Sequence, residues 1–438
     1  MPIERLQKLP VNVRDSGPAP DRADVITGGF IGAGLLLIAF NLRTGVASVG
    51  PVLSLIESGL GVSPATASLL TTIPVFAFGV FAFLTPSLSR RVGLHRLLGI
   101  TMAAVAAGIG MRLIPSPITL FSGTVLLGAA IAIGNVCMPA AIKHSFASRV
   151  GLMMGLYSTA LFLGAAAASA FTVPLASAFG GSWRAALAFW LVPAVVALLV
   201  WLPHSLRNTG HIRETKGVAD GTEKLQTEPR LARLFRDRVA WSVTGYMGLQ
   251  SLSYYAALTW IPTLLQDHGA SAHVAGLMLS YSSFPAIAAA LSAPILMRKS
   301  RRTWFPVAVT AALGAAGLTG LLVAPTGAAP WIWMTLLGLG QGGTIALSLS
   351  YIVLRSPDAQ HTGHLSTMAQ GVGYVVAGFG PLGLGLLHST TDGWTMPLLA
   401  LLLVLVLQFA FGASASRERY VLSNRPSRAR RDEVRPGS

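Results

Sequence analysis

Charge is what this chain has least of. Asp, Glu, Lys and Arg together make up 11% of its 438 residues, against roughly 25% in a soluble domain. Hydrophobic residues make up 53%, and they fall in runs of about 20, the length that crosses a bilayer core as one helix. Helices that are apolar on every side cannot all be buried inside one water-soluble globule. A soluble domain is excluded, and the lipid bilayer is the expected surrounding. Cysteine is almost missing as well. The single Cys137 lies inside an apolar run, which rules out an intrachain disulfide and any Cys-rich metal site, and it reads as a small buried apolar residue. His144, His204, His268, His273, His361, His364 and His388 sit scattered at the ends of apolar runs without metal-ligand spacing. No Gly-rich Lys loop of the nucleotide-phosphate type occurs. No metal, no cofactor and no enzymatic constellation are expected, and an ATP-driven pump is disfavoured.

The apolar runs place candidate spans at 28–49, 65–86, 95–114, 118–141, 151–178 and 184–203, then at 239–265, 273–297, 303–324, 329–353, 364–388 and 394–415. The expectation is an all-α membrane protein of twelve transmembrane helices. Residues 1–27 are polar, without an apolar core or a small-residue cleavage site, and read as a disordered tail and not as a signal peptide. Orientation follows from the loops, because basic residues stay on the cytoplasmic side. With the amino terminus inside, 29 of the 32 Lys and Arg residues fall on that side, leaving Arg112 and Arg184 outside and Arg43 within the first span. Both termini are expected in the cytoplasm, in a multi-pass protein of the cell (inner) membrane. The net charge of +16 then faces the anionic leaflet, and no nucleic-acid partner is expected. The Arg-rich stretch 425–435 reads as part of a solvated basic tail at 416–438.

The two halves of the chain repeat. Pro51 and Pro74 are spaced like Pro262 and Pro285, and Gly128 and Gly151 like Gly340 and Gly363, at an offset of 211 or 212 residues. A basic cluster follows the second span of each half, at Arg90-Arg91 and again at 298–302. These matches predict two pseudo-symmetric six-helix bundles, 28–203 and 239–415, joined by a cytoplasmic loop at 204–238. Such duplication is typical of secondary transporters, whose site lies between the repeats.

An ionisable side chain in the hydrocarbon costs about 2.5–3.5 kcal/mol on insertion scales and needs a reason to be there. Arg43, in the run LLLIAFNLRTGVASV (35–49), is the one formal charge well inside a span; Glu57, Asp267 and Asp392 sit in loops or at span ends. A guanidinium facing a cavity is a fork for a carboxylate-like anion; the alternative is that Arg43 bonds helix carbonyls. Around it, spans 1, 4, 7 and 10 carry Asn135, Gln250 with Tyr254, and Gln341. Gln250 and Tyr254 share a helix face, and the repeat offset sets Tyr254 opposite Arg43. Asn41, two residues from Arg43, cannot face the same way unless the helix bends. Asn135 and Gln341 serve equally well as interhelical glue. Tyr157, Tyr255, Trp260 and Gln370 are further candidates for the solute site, although aromatics in spans often serve packing or interface belts.

Segments 41–52 (NLRTGVASVGPV), 128–143 (GAAIAIGNVCMPAAIK), 151–159 (GLMMGLYST), 183–190 (WRAALAFW) and 248–262 (GLQSLSYYAALTWIP) resemble the major facilitator superfamily, and within it the branch of cyanate permeases and 2-nitroimidazole transporters. The resemblance covers residues 28–415. The superfamily's loop signature is partly kept in 88–96 (LSRRVGLHR), with Ser89 or Arg90 where an Asp is usual. The resemblance implies a two-bundle fold with alternating access, a cavity lined by spans 1, 4, 7 and 10, and no cofactor. It implies a small-molecule solute, either a small anion such as cyanate or a small nitroaromatic drug. Action as a monomer is expected. Protons would ride on the solute, on a His or on a boundary acid such as Glu57, or transport is not proton-driven.

Overall fold

A computed structural model describes residues 22–62, 64–206 and 231–422. The first half comprises α1 (Arg22–Ala47), α2 (Leu53–Leu60), α3 (Pro64–Ala82), α4 (Thr85–Val92), α5 (Leu94–Met111), α6 (Pro117–Ser145), α7 (Val150–Ala178), α8 (Trp183–Phe189) and α9 (Leu191–Leu206). The second comprises α10 (Leu231–Leu234), α11 (Arg238–Asp267), α12 (Ala272–Tyr281), α13 (Ser283–Lys299), α14 (Phe305–Val323), α15 (Ala329–Leu354), α16 (Ala359–Thr391) and α17 (Thr395–Ala415). Among the described residues, ten helices or continuous helical runs are long and apolar enough to cross a bilayer, and α3 with α4, bent by 61° between them, make an eleventh. The twelfth crossing is α11. Its 30 residues would extend about 45 Å at 1.5 Å per residue, and its Ser, Thr, Gln and Tyr side chains dilute its hydropathy. Helix α1 begins at Arg22, inside the stretch read as tail. The predicted tail before it, most of the predicted linker and the Arg-rich 425–435 lie outside the described residues.

Large apolar side chains such as Val80, Leu199, Phe284, Phe379 and Val406 remain exposed on the outside of the bundle, as a lipid-facing surface requires. Small residues let helices approach from inside. At Gly155 of α7, a Cβ would stand 3.2 Å from the Pro294 ring and 3.3 Å from the Ala290 carbonyl of α13, so this glycine permits the two halves to touch.

One end of the bundle carries the start of α1, the ends of α15 and α17 and the start of α11. There the Val421 amide donates to the Arg355 carbonyl at 2.8 Å, and the Leu422 amide to Asp237 Oδ2 at 2.8 Å. We call this the terminal end. Asp237 also caps α11, its Oδ1 accepting from the amides of Val239 (2.7 Å) and Ala240 (2.9 Å). Replacing Asp237 with Ala is expected to cost about 1–2 kcal/mol, since a lost cap alone costs typically ~1 kcal/mol. The check is a lowered Tm of the detergent-solubilised protein.

The apolar core is asymmetric along the bundle axis. At the terminal end one cluster runs through both halves, joining Ala140, Ala141, Ile142 and Met154 to Ala290, Ile352, Val353 and Leu365. At the far end the halves have separate cores, one around Val52, Ile56 and Trp183, the other around Leu264, Met334 and Trp394. The halves thus share one apolar core at the terminal end and keep separate apolar cores at the far end.

Candidate functional site

Arg43 occupies the next-to-last turn of α1, where the helix ends at Ala47 and the chain turns into α2. A second guanidinium holds that end. Arg112 donates to the Gly45 carbonyl at 2.7 Å and to Thr124 Oγ1 at 3.3 Å. A cation at a helix C-terminus is favoured by the exposed carbonyls and the helix dipole. Arg112, expected on the outer side, follows the last residue of α5 and is 1% exposed, so a second cation is buried in the protein besides Arg43.

The Arg43 side chain is partly buried and donates through Nη1 to the Tyr255 hydroxyl at 3.1 Å. Its Cζ lies 6.0 Å from the ring centroid of Tyr254, within cation–π range. Tyr374 is a third phenol facing the guanidinium. The rings continue outward: Tyr254 to Tyr255 at 5.3 Å, Tyr255 to Tyr374 at 6.4 Å, Tyr374 to Phe78 at 5.2 Å and Tyr254 to Phe162 at 6.4 Å. Among the described residues the ion pairs are His361–Asp358 and His388–Asp267, so no carboxylate neutralises Arg43. On the same side Tyr157 donates to Asn135 Oδ1 at 3.5 Å, while Asn135 Nδ2 is buried without a partner. Gln370 Nε2 contacts the Asn135 carbonyl and Ser366 Oγ, each at 2.8 Å.

Six of the ten candidates thus gather in one region: Arg43, Tyr254, Tyr255, Tyr157, Asn135 and Gln370. Four do not. Asn41 is fully buried and donates to the carbonyls of Leu37 (2.9 Å) and Pro193 (3.0 Å), turning toward α9 as its offset from Arg43 requires. Gln250 and Gln341 line a cavity of about 10 Å³ inside the second half, together with Ser253, Thr310, Thr344 and Gln408. That is room for about one water, and the residues form a polar cluster internal to the second half. Trp260 lies at the far end, donating to the Pro381 carbonyl at 2.7 Å and stacking on His388 at 6.2 Å. Tyr374, Phe78 and Phe162 were not among the candidates. A signal for two of them exists, because Phe162 and Tyr374 are separated by 212 residues, the spacing of Arg43 and Tyr255.

A partly buried cation without a carboxylate partner among the described residues, faced by three phenols, has the chemistry to receive an anion. The site holds no nucleophile–base pair, and among the described residues no group of His, Cys, Asp and Glu could hold a metal ion.

Residues 35–381 match the family model of the Major Facilitator Superfamily. The chain is 38% identical to the uncharacterized transporter YycB of Bacillus subtilis (strain 168) over 90% of this chain and 95% of that protein. It is 34% identical to the 2-nitroimidazole transporter of Escherichia coli (strain K12), over 89% and 96% of the two chains. The cyanate transport protein CynX of the same organism is 33% identical over 83% and 91%. Among solved structures, the E. coli fucose:proton symporter FucP superposes with a TM-score of 0.68 at 14% identity, covering 90% of this chain and all of the other. A matching fold, a matching family model and relatives aligned over nearly their whole length lead to one conclusion: this chain belongs to the Major Facilitator Superfamily and is a membrane transporter, not an enzyme.

Proposed function

We propose that this protein moves a small, planar monoanion across the cell (inner) membrane by alternating access, with residues 28–203 rocking against 239–415 and the solute held at Arg43. The observation that carries the reading is the partly buried Arg43, which has no carboxylate partner among the described residues and is faced by three tyrosines. One uncompensated positive charge suits one negative charge. The aromatic rings suit a flat, polarisable solute, and the phenol hydroxyls and the Asn135 amide can donate to its oxygens or ring nitrogens. The two solutes named for the E. coli relatives fit this description. Cyanate is a small monoanion, and 2-nitroimidazole is a planar ring with an acidic N–H that can ionise. We further propose that the terminal end faces the cytoplasm, as the loop charges favour, and that the transporter acts as a monomer.

A second reading is export of neutral nitroaromatic compounds. The ring contacts among Phe78, Phe162, Tyr254, Tyr255 and Tyr374 favour it, because stacking needs no charge on the solute. The deciding experiment is uptake into proteoliposomes of cyanate, nitrate and 2-nitroimidazole, the last across a pH series that spans its ionisation. Uptake that follows the anion fraction supports the first reading, and uptake that follows the neutral fraction supports the second. Equal rates with and without an imposed pH gradient remove proton coupling. Tyr255→Phe deletes the hydroxyl that orients Arg43 and is expected to raise KM for the anion about 3- to 10-fold, the worth of one hydrogen bond of 0.5–1.5 kcal/mol. An unchanged KM in the same assay removes Tyr255 from the site.

A further inference from the structure

Helix α6 contains Pro139. Proline has no amide hydrogen, so the carbonyl four residues earlier loses its helical partner. That carbonyl belongs to Asn135. It is not left unpaired: Gln370 of α16, in the other half of the molecule, donates to it at 2.8 Å. Gln370 is 1% exposed and Asn135 2%, so the bond is shielded from water and neither group has solvent to fall back on. Ser366, one turn earlier on α16, contacts the same Gln370 nitrogen at 2.8 Å and fixes the side chain's direction.

Asn135 is thereby shared between two tasks. Its side chain takes the Tyr157 hydroxyl on Oδ1 and presents an unpartnered Nδ2; its backbone carbonyl is gripped from the opposite half. One to two turns nearer the terminal end, the same two helices close against each other where Gly363 meets Ala140. An opening of that end that draws α6 away from α16 at the depth of Asn135 would break the Gln370 clasp.

We propose that Gln370 is a positioning residue: through the carbonyl that Pro139 sets free, it holds the Asn135 amide ready for the solute while the terminal end is shut, and lets go when that end opens. The inference rests on the reading of Arg43 and Asn135 as the solute site. It reassigns Gln370 from contacting solute to linking the site with closure. The solute-binding arrangement and the closed end are then favoured together, which is the condition for occupancy and closure to influence each other.

The test uses the full-length protein in permeabilised membranes, with Cys137→Ala as background and Ala140→Cys as reporter. Ala140 is 4% exposed in the closed end, so its labelling rate by a maleimide follows the open fraction. Gln370→Leu is expected to speed labelling about tenfold, as for loss of one buried hydrogen bond, and to raise KM for cyanate uptake more than it changes kcat. Gln370→Glu, close in shape and unable to donate when ionised, is expected to do the same. Pro139→Ala returns an amide donor to α6 and is also expected to speed labelling. In that background Gln370→Leu is expected to add little, because the carbonyl no longer needs Gln370. Non-additivity of this kind reports a shared interaction, whereas a packing role for Gln370 gives independent effects. Additive effects, or labelling unchanged in both Gln370 variants, would overturn the proposal. The labelling cycle contains no solute. An additive cycle alongside a transport-dead Arg43→Gln removes the clasp alone, and a normal Arg43→Gln removes the solute-site reading with it.

Discussion

Arg43→Gln is expected to lower kcat/KM for a small anion by at least about 100-fold at unchanged protein level. Two unit charges about 4 Å apart attract by ~4 kcal/mol at an effective dielectric constant of 20, and a factor of 100 asks for less than that. Gln keeps length and hydrogen-bonding capacity, so the change isolates charge from shape. It also spares the protein the cost of holding an uncompensated guanidinium among apolar helices, and the variant is expected to fold at least as well as the parent. Arg43→Lys keeps the charge and loses the planar fork, which matters for a flat oxyanion; an intermediate loss of about tenfold is expected. The measurement is initial uptake into proteoliposomes at several solute concentrations, with the amount of reconstituted protein determined in parallel. Anion uptake by Arg43→Gln at the parental rate would sink the monoanion reading. It would leave Arg43 as a structural cation whose Tyr255 hydrogen bond joins α1 to α11.

The fold was largely legible because the bilayer makes apolar length a direct signal. The span at 239–265 is α11, whose Ser, Thr, Gln and Tyr side chains dilute its hydropathy; the span most diluted by Gly and polar residues, 364–388, lies within α16. The site was legible in part, and its misses share a cause. A helix-face argument says that Gln250 and Tyr254 lie on one side of α11, but not whether that side meets the other half or the interior of its own half. Tyr254 reaches Arg43, while Gln250 turns into a cluster with Gln341 and Gln408. Arg112 is expected on the outer side near the end of the span 95–114, and it follows the last residue of α5. Its burial depends on the end of α1 lying beside it with an available Gly45 carbonyl, a tertiary fact without a local sequence signal. The partnership of Arg43 with Tyr255 was nearly visible. The 211–212-residue offset pointed to Tyr254, and the hydrogen bond forms one residue further along.

The sharpest consequence of a shut terminal end is that it can be stapled. A Cβ placed on Gly363 stands 4.0 Å from Ala140 Cβ, inside the 3.5–4.5 Å range that a disulfide spans. The pair A140C and G363C, made with Cys137→Ala so that no third thiol competes, is expected to oxidise readily. The bridge then ties α6 of one half to α16 of the other at the end where the shared apolar core lies. Transport by alternating access requires that core to part once per cycle, and two covalently tied helices cannot part. Uptake by the oxidised double variant is therefore expected to fall to the level of empty liposomes and to return on reduction. Each single variant should transport with or without oxidant, which separates the staple from the effect of either side chain. Because the apolar cores of the halves are separate at the far end, solute binding from that side is expected to survive the staple. Cyanate should still protect the oxidised protein from thermal unfolding while no longer being carried across. Binding kept with transport lost would place the solute site on the far side of this closure. Transport retained through an intact disulfide would mean that α6 and α16 need not separate here, and the opening would have to run elsewhere along the interface between the halves.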